Sequence, residues 1–183
     1  MRFAKKIAIL LLVGVIVFVT GFFAYTFLSF KLQYKKIIEV ESKNYGVEQG
    51  IIYSIIKAES KFNKNAKSSA GAVGLMQIKL SSANYMLAQN GKQQITEAQL
   101  FLPETNIKLG TQYFAYLQKK FKVLDTAICA YNAGETVVRG WLKNSNNSAD
   151  GKTLKNIPFA ETKKYLSKVQ FNIKVYQKIL RKN

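Results

Sequence analysis

The chain contains no histidine and only one cysteine among its 183 residues. Without histidine it cannot build a Ser-His-Asp triad, a Cys-His nucleophile pair or the usual histidine-bearing zinc sites. A single cysteine, Cys129, excludes an intramolecular disulfide. Because Cys129 lies in an apolar run, residues 127–130, we expect a buried and unreactive thiol. No phosphate-cradling motif of the G-x-x-x-x-G-K type is present, which argues against nucleotide hydrolysis.

Acidic residues are also scarce. The chain has 10 Asp and Glu against 28 Lys and Arg, a formal net charge of +18. Such a charge attracts polyanions, and for a protein outside the cell these are anionic wall polymers or lipids. The lysines are spread along every predicted helix and are not gathered on one helix or strand that could contact nucleic acid, so we expect no nucleic-acid partner. A solvated basic surface without a specific partner is the alternative.

The longest apolar run lies at the N-terminus. Arg2, Lys5 and Lys6 precede uncharged residues 7–30, and a membrane-spanning helix needs roughly 20 such residues. A cleaved signal peptide is the competing interpretation. Aromatic residues cluster toward the far end of the run, as they do at membrane interfaces, which favours an uncleaved signal anchor over residues 1–30.

The rest of the chain is predicted to be mainly α-helical, because no period-two alternation lasts long enough for a sheet. A charged helical stem is expected within residues 31–46, followed by a domain over residues 47–183. Pro103 suits the first turn of a helix, with Ile107, Phe114, Leu117 and Phe121 facing the core. Further helices are expected over residues 47–60, 75–89, 125–134 (capped by Asp125), 135–142 and 162–180 (with Leu166, Val169, Ile173 and Tyr176 facing inward).

Glu59 occupies a position where a carboxylate is unusual. Ile51, Ile52, Ile55 and Ile56 recur at helical spacing, and Glu59 follows Ile55 by four residues. The carboxyl group is therefore expected on the apolar face, where burial raises its pKa and suits it to general acid catalysis. The alternative is an ordinary helix-end glutamate that turns to water.

Neutral polar groups follow Glu59 in two places. Residues 68–74 (SSAGAVG) form a small-residue loop in which backbone can approach a ligand, and Gln77 is embedded in the apolar run after it. Tyr131 and Asn132 precede Gly134, which can end a helix. One acid with several amides and hydroxyls suits a neutral substrate rich in hydroxyl and amide groups.

These segments resemble, in order and spacing, the lytic transglycosylases of the soluble-lytic-transglycosylase (SLT) type, which belong to the lysozyme-like superfamily and act on peptidoglycan. The resemblance runs from about Val47 to the C-terminus and implies a lysozyme-like helical domain. The matching blocks are Glu59-Ser60, residues 65–78 (NAKSSAGAVGLMQI), Asn106-Ile107 with Gly110, residues 130–134 (AYNAG), and Glu161-Thr162 with Tyr165.

The resemblance implies a reaction for Glu59. It would protonate the β-1,4 glycosidic oxygen between N-acetylmuramic acid and N-acetylglucosamine, then act as base on the C6 hydroxyl to give a 1,6-anhydro end. No metal or organic cofactor is implied. A lysozyme-like muramidase would need a second carboxylate, and Glu161 is the only other acid in the blocks. A non-catalytic peptidoglycan-binding module is the remaining alternative.

Roles for the other matched residues are also implied by the resemblance. Ser68 would orient the reacting sugar, Gln77 would hydrogen-bond to it, and the Tyr131 hydroxyl would lie close to the acid. Asn132, Met76, Glu161 and Tyr165 would contact substrate in the same cleft. Structural alternatives are a loop hydroxyl for Ser68, a protein-satisfied amide for Gln77, core packing for Tyr131 and Met76, and a helix-end side chain for Asn132.

Two positions depart from the family pattern. Lys79-Leu80 stands where many relatives carry Met-Pro, and Lys163 stands where arginine is frequent. A lysine at position 79 would meet a stem-peptide carboxylate in place of an apolar sugar contact.

The expected location is the cell membrane, with a single span and the domain on the periplasmic or wall-facing side. There the enzyme would remodel the wall or open it locally for an envelope-spanning secretion or transfer complex.

Overall fold

The computed structural model describes Lys6, residues 11–21, Phe30 and residues 32–182. The chain divides into two compact units, residues 1–32 and residues 33–183. In the first unit, residues 11–21 are helical and exposed. The other residues of the expected anchor, apart from Lys6 and Phe30, lie outside the described part. Within the described part, no helix has both the length and the apolar character needed to cross a bilayer.

The second unit is mainly helical, as predicted, and carries one minimal hairpin of two-residue strands. In chain order its elements are α1 (Lys35–Tyr45), α2 (Gln49–Glu59), β1 (Ala72–Val73), β2 (Ile78–Lys79), α3 (Leu80–Ala88), α4 (Glu97–Leu100), α5 (Pro103–Phe121), α6 (Leu124–Ala133), α7 (Glu135–Lys143) and α8 (Ala160–Leu180).

Helix α2 lies at the centre of this unit. Its isoleucines are buried as their spacing predicts, and it packs along α8. Tyr53 of α2 stacks on Tyr176 of α8 with 5.0 Å between ring centroids. The α2–α8 contact holds the end of α2, and with it Glu59, against the side of α8.

Helix α5 supports the other side of the core. Its residues Ile107, Phe114, Leu117 and Phe121 are all buried, which confirms the predicted core-facing stripe. It packs against α1, α3 and α6. Ile38 of α1 is fully buried, so the helix expected as a stem lies inside the compact unit of residues 33–183.

The helix predicted to begin at residue 75 begins only at Leu80. Gly74 and Gln77 both adopt positive φ, of 78° and 46°, which a helix cannot accommodate. The chain instead turns so that β1 and β2 pair antiparallel, with Ala72 opposite Lys79 and Val73 opposite Ile78. This turn carries Gln77 beside the end of α2.

Two further expectations require correction. Asp125 is not the N-cap of α6, because the helix begins one residue earlier with Val123 as its cap. The Asp125 carboxylate instead accepts a 2.9 Å hydrogen bond from Gln170 of α8. Leu166 is only partly buried, whereas Val169, Ile173 and Tyr176 are buried as predicted.

Candidate active site

A cavity of about 470 Å³ opens where the end of α2 meets the 68–79 loop and the end of α6. It brings together six residues that the sequence singled out, although they are scattered over a hundred positions of the chain. These six are Glu59, Ser68, Gln77, Tyr131, Asn132 and Glu161.

Glu59 is the last residue of α2, and its side chain is largely removed from solvent. Burial is the main cause that raises the pKa of its carboxyl to about 7. The Tyr165 hydroxyl donates a 2.7 Å hydrogen bond to Glu59 Oε1 and, together with the positive charge of Lys168, opposes that rise. The negative charge of Glu161 adds to it. Near neutral pH this carboxyl is therefore present in both protonated and ionised forms.

The end of α2 is fixed by a lysine from α8. Lys168 Nζ donates a 2.6 Å hydrogen bond to the carbonyl of Ala58, one of the carbonyl groups that a helix end leaves unpaired. Burial, followed by repulsion from Lys61, lowers the pKa of this lysine, and the charge of Glu59 opposes the shift. Lys168 thus positions the backbone that carries the acid and also acts on its electrostatics.

Asn106 of α5 holds the loop that forms one wall of the cavity. Its fully buried amide accepts from the Met76 backbone N–H at 2.7 Å and donates to the carbonyls of Val73 and Leu100 at 2.9 and 2.7 Å. A Cβ atom at Gly74 would collide with this side chain, and the φ of 78° also requires glycine there. Ser60 adds a 2.8 Å hydrogen bond to the Leu75 carbonyl, which joins the loop to the end of α2.

Ser68 and Gln77 line the cavity and also bond within the protein. The Ser68 hydroxyl accepts a 3.0 Å hydrogen bond from the Ala72 backbone N–H. The Gln77 amide nitrogen donates to the carbonyls of Ala66 and Gly74, at 3.0 and 2.9 Å. Both side chains are therefore held in one orientation. Each makes the hydrogen bonds within the protein that a purely structural role predicts, and each also lines the cavity.

Tyr131 and Asn132 come from the last turn of α6. The Tyr131 hydroxyl donates to the Met76 carbonyl at 2.8 Å, and its ring lies against Tyr113 and Phe114. Burial, followed by the charge of Glu59, raises the pKa of this phenol, so it remains neutral. Asn132 accepts a 2.8 Å hydrogen bond from the Thr162 hydroxyl, which ties α6 to the start of α8.

Two predicted contacts lie outside the cavity wall. Met76 is fully buried, with its side chain against Gly110 and its sulfur 3.7 Å from the Thr111 hydroxyl. Its side chain belongs to the core, and we withdraw it as a sugar contact. Tyr165 is also buried and does not line the cavity, but its hydroxyl bonds to the acid. The resemblance implies only that the Tyr131 hydroxyl lies close to the acid, and the charge of Glu59 does act on this phenol.

Sequence reasoning missed three residues of the site. Ser82 and Tyr113 line the cavity. Lys168 does not line it, but its positive charge lowers the pKa of Glu59. Lys168 follows Tyr165 by three residues on α8, so the two share a helix face, and that spacing is the signal that was available. Lys79, noted as a departure from the family, also lines the cavity.

Among the described residues, no group of three or more Cys, Asp or Glu side chains is placed to hold a metal ion.

Comparison with known proteins identifies the family. The model of the transglycosylase SLT domain family matches residues 36–154. The soluble lytic murein transglycosylase of Escherichia coli (strain K12) is 34% identical over 145 residues, covering 76% of this chain and 22% of that protein. The membrane-bound lytic murein transglycosylase C of Sodalis glossinidius is 34% identical over 168 residues, covering 80% of this chain and 47% of that protein.

Solved structures of such enzymes share the fold. The 70 kDa soluble lytic transglycosylase from Escherichia coli superposes with a TM-score of 0.72 at 30% identity, over 82% of this chain and 25% of that one. An inactive glutamate-to-glutamine mutant of the lytic transglycosylase Slt from Pseudomonas aeruginosa gives 0.73 at 30% identity, over 83% and 25%. This chain thus spans only part of its relatives' length. It belongs to the SLT family of lysozyme-like lytic transglycosylases, as its motif blocks predict.

Proposed function

We propose that this chain cleaves the β-1,4 bond between N-acetylmuramic acid and N-acetylglucosamine in peptidoglycan and leaves 1,6-anhydromuramic acid ends. The observation that carries the proposal is the Glu59 carboxyl, which faces the cavity with a pKa raised to about 7. Efficient proton transfer requires a group whose pKa lies near the working pH. One group of this kind can serve first as acid and then as base.

The proposed reaction balances without water. Protonated Glu59 gives its proton to the glycosidic oxygen as the bond to C1 of the muramic acid breaks, and N-acetylglucosamine leaves with a free hydroxyl. The Glu59 carboxylate then removes the proton from the C6 hydroxyl of the same muramic acid while that oxygen bonds to C1. The carboxyl group is protonated again at the end, ready for another cycle.

The remaining cavity residues are suited to holding a neutral sugar. Ser68, Gln77 and Asn132 present hydroxyl and amide groups whose orientation internal hydrogen bonds already fix. Orientation that exists before binding costs no entropy at the time of binding. We assign Tyr165 and Lys168 to positioning Glu59, since each acts on the acid or on its helix end from outside the cavity.

One observation favours a second candidate, a muramidase that hydrolyses the same bond. Glu161 in the first turn of α8 lines the same cavity as Glu59. Two carboxylates on either side of a glycosidic bond are the usual equipment of a hydrolase, with the second acting as nucleophile or as base for water. The two candidates differ in whether Glu161 takes part in the reaction and in whether water enters the product.

We further propose that the chain works at the outer face of the cell membrane, attached through residues 1–30, and cuts the wall locally for remodelling or for an envelope-spanning complex. The uncharged run of residues 7–30 and the net charge of +18 support attachment to an anionic envelope. Some relatives, such as the Sodalis glossinidius protein, are named as membrane-bound.

Digestion of peptidoglycan in ¹⁸O-labelled water tests the reaction class. A transglycosylase gives anhydro ends without the label, whereas a hydrolase gives reducing ends that carry it, and mass spectrometry separates the two. A Glu161→Gln variant adds the matched control, because transglycosylation survives that change and hydrolysis through Glu161 does not. Binding of peptidoglycan without any product would instead indicate a non-catalytic binding module.

A further inference from the structure

The outward side of helix α8 carries positive charge along its whole length. Residues 162–182 include seven Lys and Arg residues and no Asp or Glu. The inward side of the helix is formed by the buried residues Tyr165, Val169, Ile173 and Tyr176. Helical spacing places a second set of residues opposite these four, and every member of that set is exposed. We call this set the basic face: Lys164, Ser167, Lys168, Phe171, Lys174, Lys178 and, just beyond the helix, Lys182.

Carboxylates that approach α8 bond to its glutamines and not to these lysines. Asp125 of α6 accepts a 2.9 Å hydrogen bond from Gln170. Glu48, the N-cap of α2, accepts a 3.1 Å hydrogen bond from Gln177. Among the described residues, no lysine of α8 takes part in a salt bridge. The basic face is therefore complementary in charge to an anionic partner.

Positive charge continues from the basic face onto the end of α2. Burial, followed by repulsion from Lys168 and Lys61, lowers the pKa of Lys57 in the last turn of α2. Lys168 itself is bonded to the Ala58 carbonyl, so its ammonium group is fixed in this crowded position. An anionic surface lying over these groups would offset their mutual repulsion.

Phe171 places an aromatic ring in the middle of the basic face. It is 59% exposed, and Lys168 and Lys174 lie one turn before it and one turn after it. A phosphate polymer in water offers this ring no apolar region. The interface of a lipid bilayer accepts both kinds of group, because the ring enters below the headgroups while the lysine side chains keep their ammonium groups at them.

The end of α8 also lies near the point where the N-terminal residues join this unit. Leu180, the last residue of α8, lines a pocket together with Lys35, the first residue of α1. Residues 1–32, which include the proposed membrane attachment, come directly before α1 in the chain. The basic face therefore runs toward the end of the unit that such an attachment keeps close to a bilayer.

We propose that the basic face of α8 docks on the surface of an anionic lipid bilayer. The inference rests on the proposed membrane location and not on the proposed reaction. The inward side of α8 packs against α2 and α6, and the ends of these two helices form part of the cavity wall. A docked α8 therefore holds the cavity on the side away from the lipid, where a glycan strand of the wall can enter it.

Fluorescence of a dye on the basic face tests the docking. The full chain carries Ser167→Cys with an environment-sensitive dye, in vesicles of phosphatidylcholine with or without phosphatidylglycerol. Cys129 is buried, so labelling is confined to position 167. The emission should shift to shorter wavelength, and spin-labelled lipid should quench it, only with the anionic lipid and at low salt. The same dye on Ser81→Cys, an exposed residue of α3, should respond to neither vesicle.

Removal of lysines from the basic face should abolish the response. The variant that combines Lys164→Gln, Lys174→Gln and Lys178→Gln should lower the ratio of docked to free label at least about tenfold, because each lysine close to an anionic bilayer adds to binding. Lys168 is kept, since it holds the end of α2. Phe171→Ala should reduce quenching by the lipid while the lysines still dock.

A matched variant removes the same net charge from exposed positions outside α8. It combines Lys92→Gln, Lys119→Gln and Lys143→Gln, and it should dock as the parent does. An equal loss in both triple variants would overturn the proposal, because net charge and not the basic face would then cause the binding.

The remaining outcomes separate the docking from the proposed attachment. Equal emission in neutral and anionic vesicles would overturn the docking and leave attachment through residues 1–30 intact. A response of the label to dissolved polyphosphate but not to anionic vesicles would overturn the lipid partner in favour of a wall polymer. Release of the full chain from neutral vesicles, with retention on anionic ones, would overturn attachment through residues 1–30 and support the docking.

Discussion

The Tyr165 hydroxyl donates a 2.7 Å hydrogen bond to Glu59 Oε1, joining two residues 106 positions apart. The contact connects α8 to the end of α2 at the point where the acid faces the cavity. It favours the ionised carboxylate, whereas burial favours the protonated form, and burial is the larger effect. The balance between the two sets the pKa of Glu59 near 7.

Replacing Tyr165 by Phe should change the pH profile as well as the rate. Loss of the hydrogen bond removes a group that lowers the pKa of Glu59, so the alkaline limb of the kcat/KM profile should move upward from about pH 7. Loss of orientation should lower kcat about tenfold. Tyr45→Phe is the matched control, since its hydroxyl bonds to Gln112 instead. An unchanged profile for Tyr165→Phe would show that this hydroxyl does not act on the acid.

The same pKa predicts a pH-dependent stability. The folded protein holds the Glu59 proton up to about pH 7, whereas the unfolded chain releases it near 4.5. The folded state therefore binds more protons in this window, and the parent should lose about 3 kcal/mol of unfolding free energy as the pH rises through it.

Glu59→Gln removes this titration and provides the comparison. The stability of the variant relative to the parent should increase by that amount between about pH 4.5 and about pH 8, as measured by denaturant unfolding at several pH values. A difference that stays constant across this range would mean that Glu59 titrates normally and is not the raised-pKa acid.

The helices were largely predictable because apolar residues that recur at helical spacing are the ones that become buried. The isoleucines of α2 and the stripe of Ile107, Phe114 and Leu117 on α5 are buried as their spacing indicated. The start of α3 was not predictable, because residues 75–79 are as apolar as a helix face. Positive φ at Gly74 and Gln77 turns this stretch into a hairpin, and Asn106 holds the turn through hydrogen bonds to the Val73 carbonyl and the Met76 N–H.

Two glycines within helices should respond in opposite ways to the same substitution. A Cβ atom at Gly110 would lie 2.6 Å from the Met76 sulfur, so Gly110→Ala should overpack the core and lower the unfolding free energy by about 2 kcal/mol. Gly140 of α7 has open space around it, and Gly140→Ala should raise stability by up to about 1 kcal/mol. Thermal unfolding of both variants checks the pair; a stable Gly110→Ala variant would contradict the tight packing of α5 on Met76.

Lys79 should affect substrate preference and leave the chemistry unchanged. It lines the cavity, so its ammonium group is placed to meet a carboxylate of a stem peptide. Lys79→Met should raise KM up to about fivefold for strands that carry stem peptides, and should leave strands freed of them unaffected. Lys92→Met, an exposed lysine outside the cavity wall, is the control. An equal effect on both kinds of strand would exclude a role in peptide recognition.

The site was predictable in its members and less so in their roles. Order and spacing of the motif blocks identified Glu59, Ser68, Gln77, Tyr131, Asn132 and Glu161, and all six meet at one cavity. The sequence did not show which tyrosine bonds to the acid, because Tyr131 and Tyr165 both come within reach only through helix packing. Tyr131 bonds to the Met76 carbonyl instead. Contacts of this kind depend on tertiary geometry that spacing alone does not encode.

The most direct test of the central claim compares Glu59→Gln with Glu161→Gln in the full chain on purified peptidoglycan. Formation of anhydro-muropeptides is followed by mass spectrometry. We predict that Glu59→Gln lowers this rate by at least about a thousandfold while strand binding persists, and that Glu161→Gln retains anhydro products. Anhydro products formed by Glu59→Gln at the rate of the parent would contradict the assignment of Glu59 as the acid.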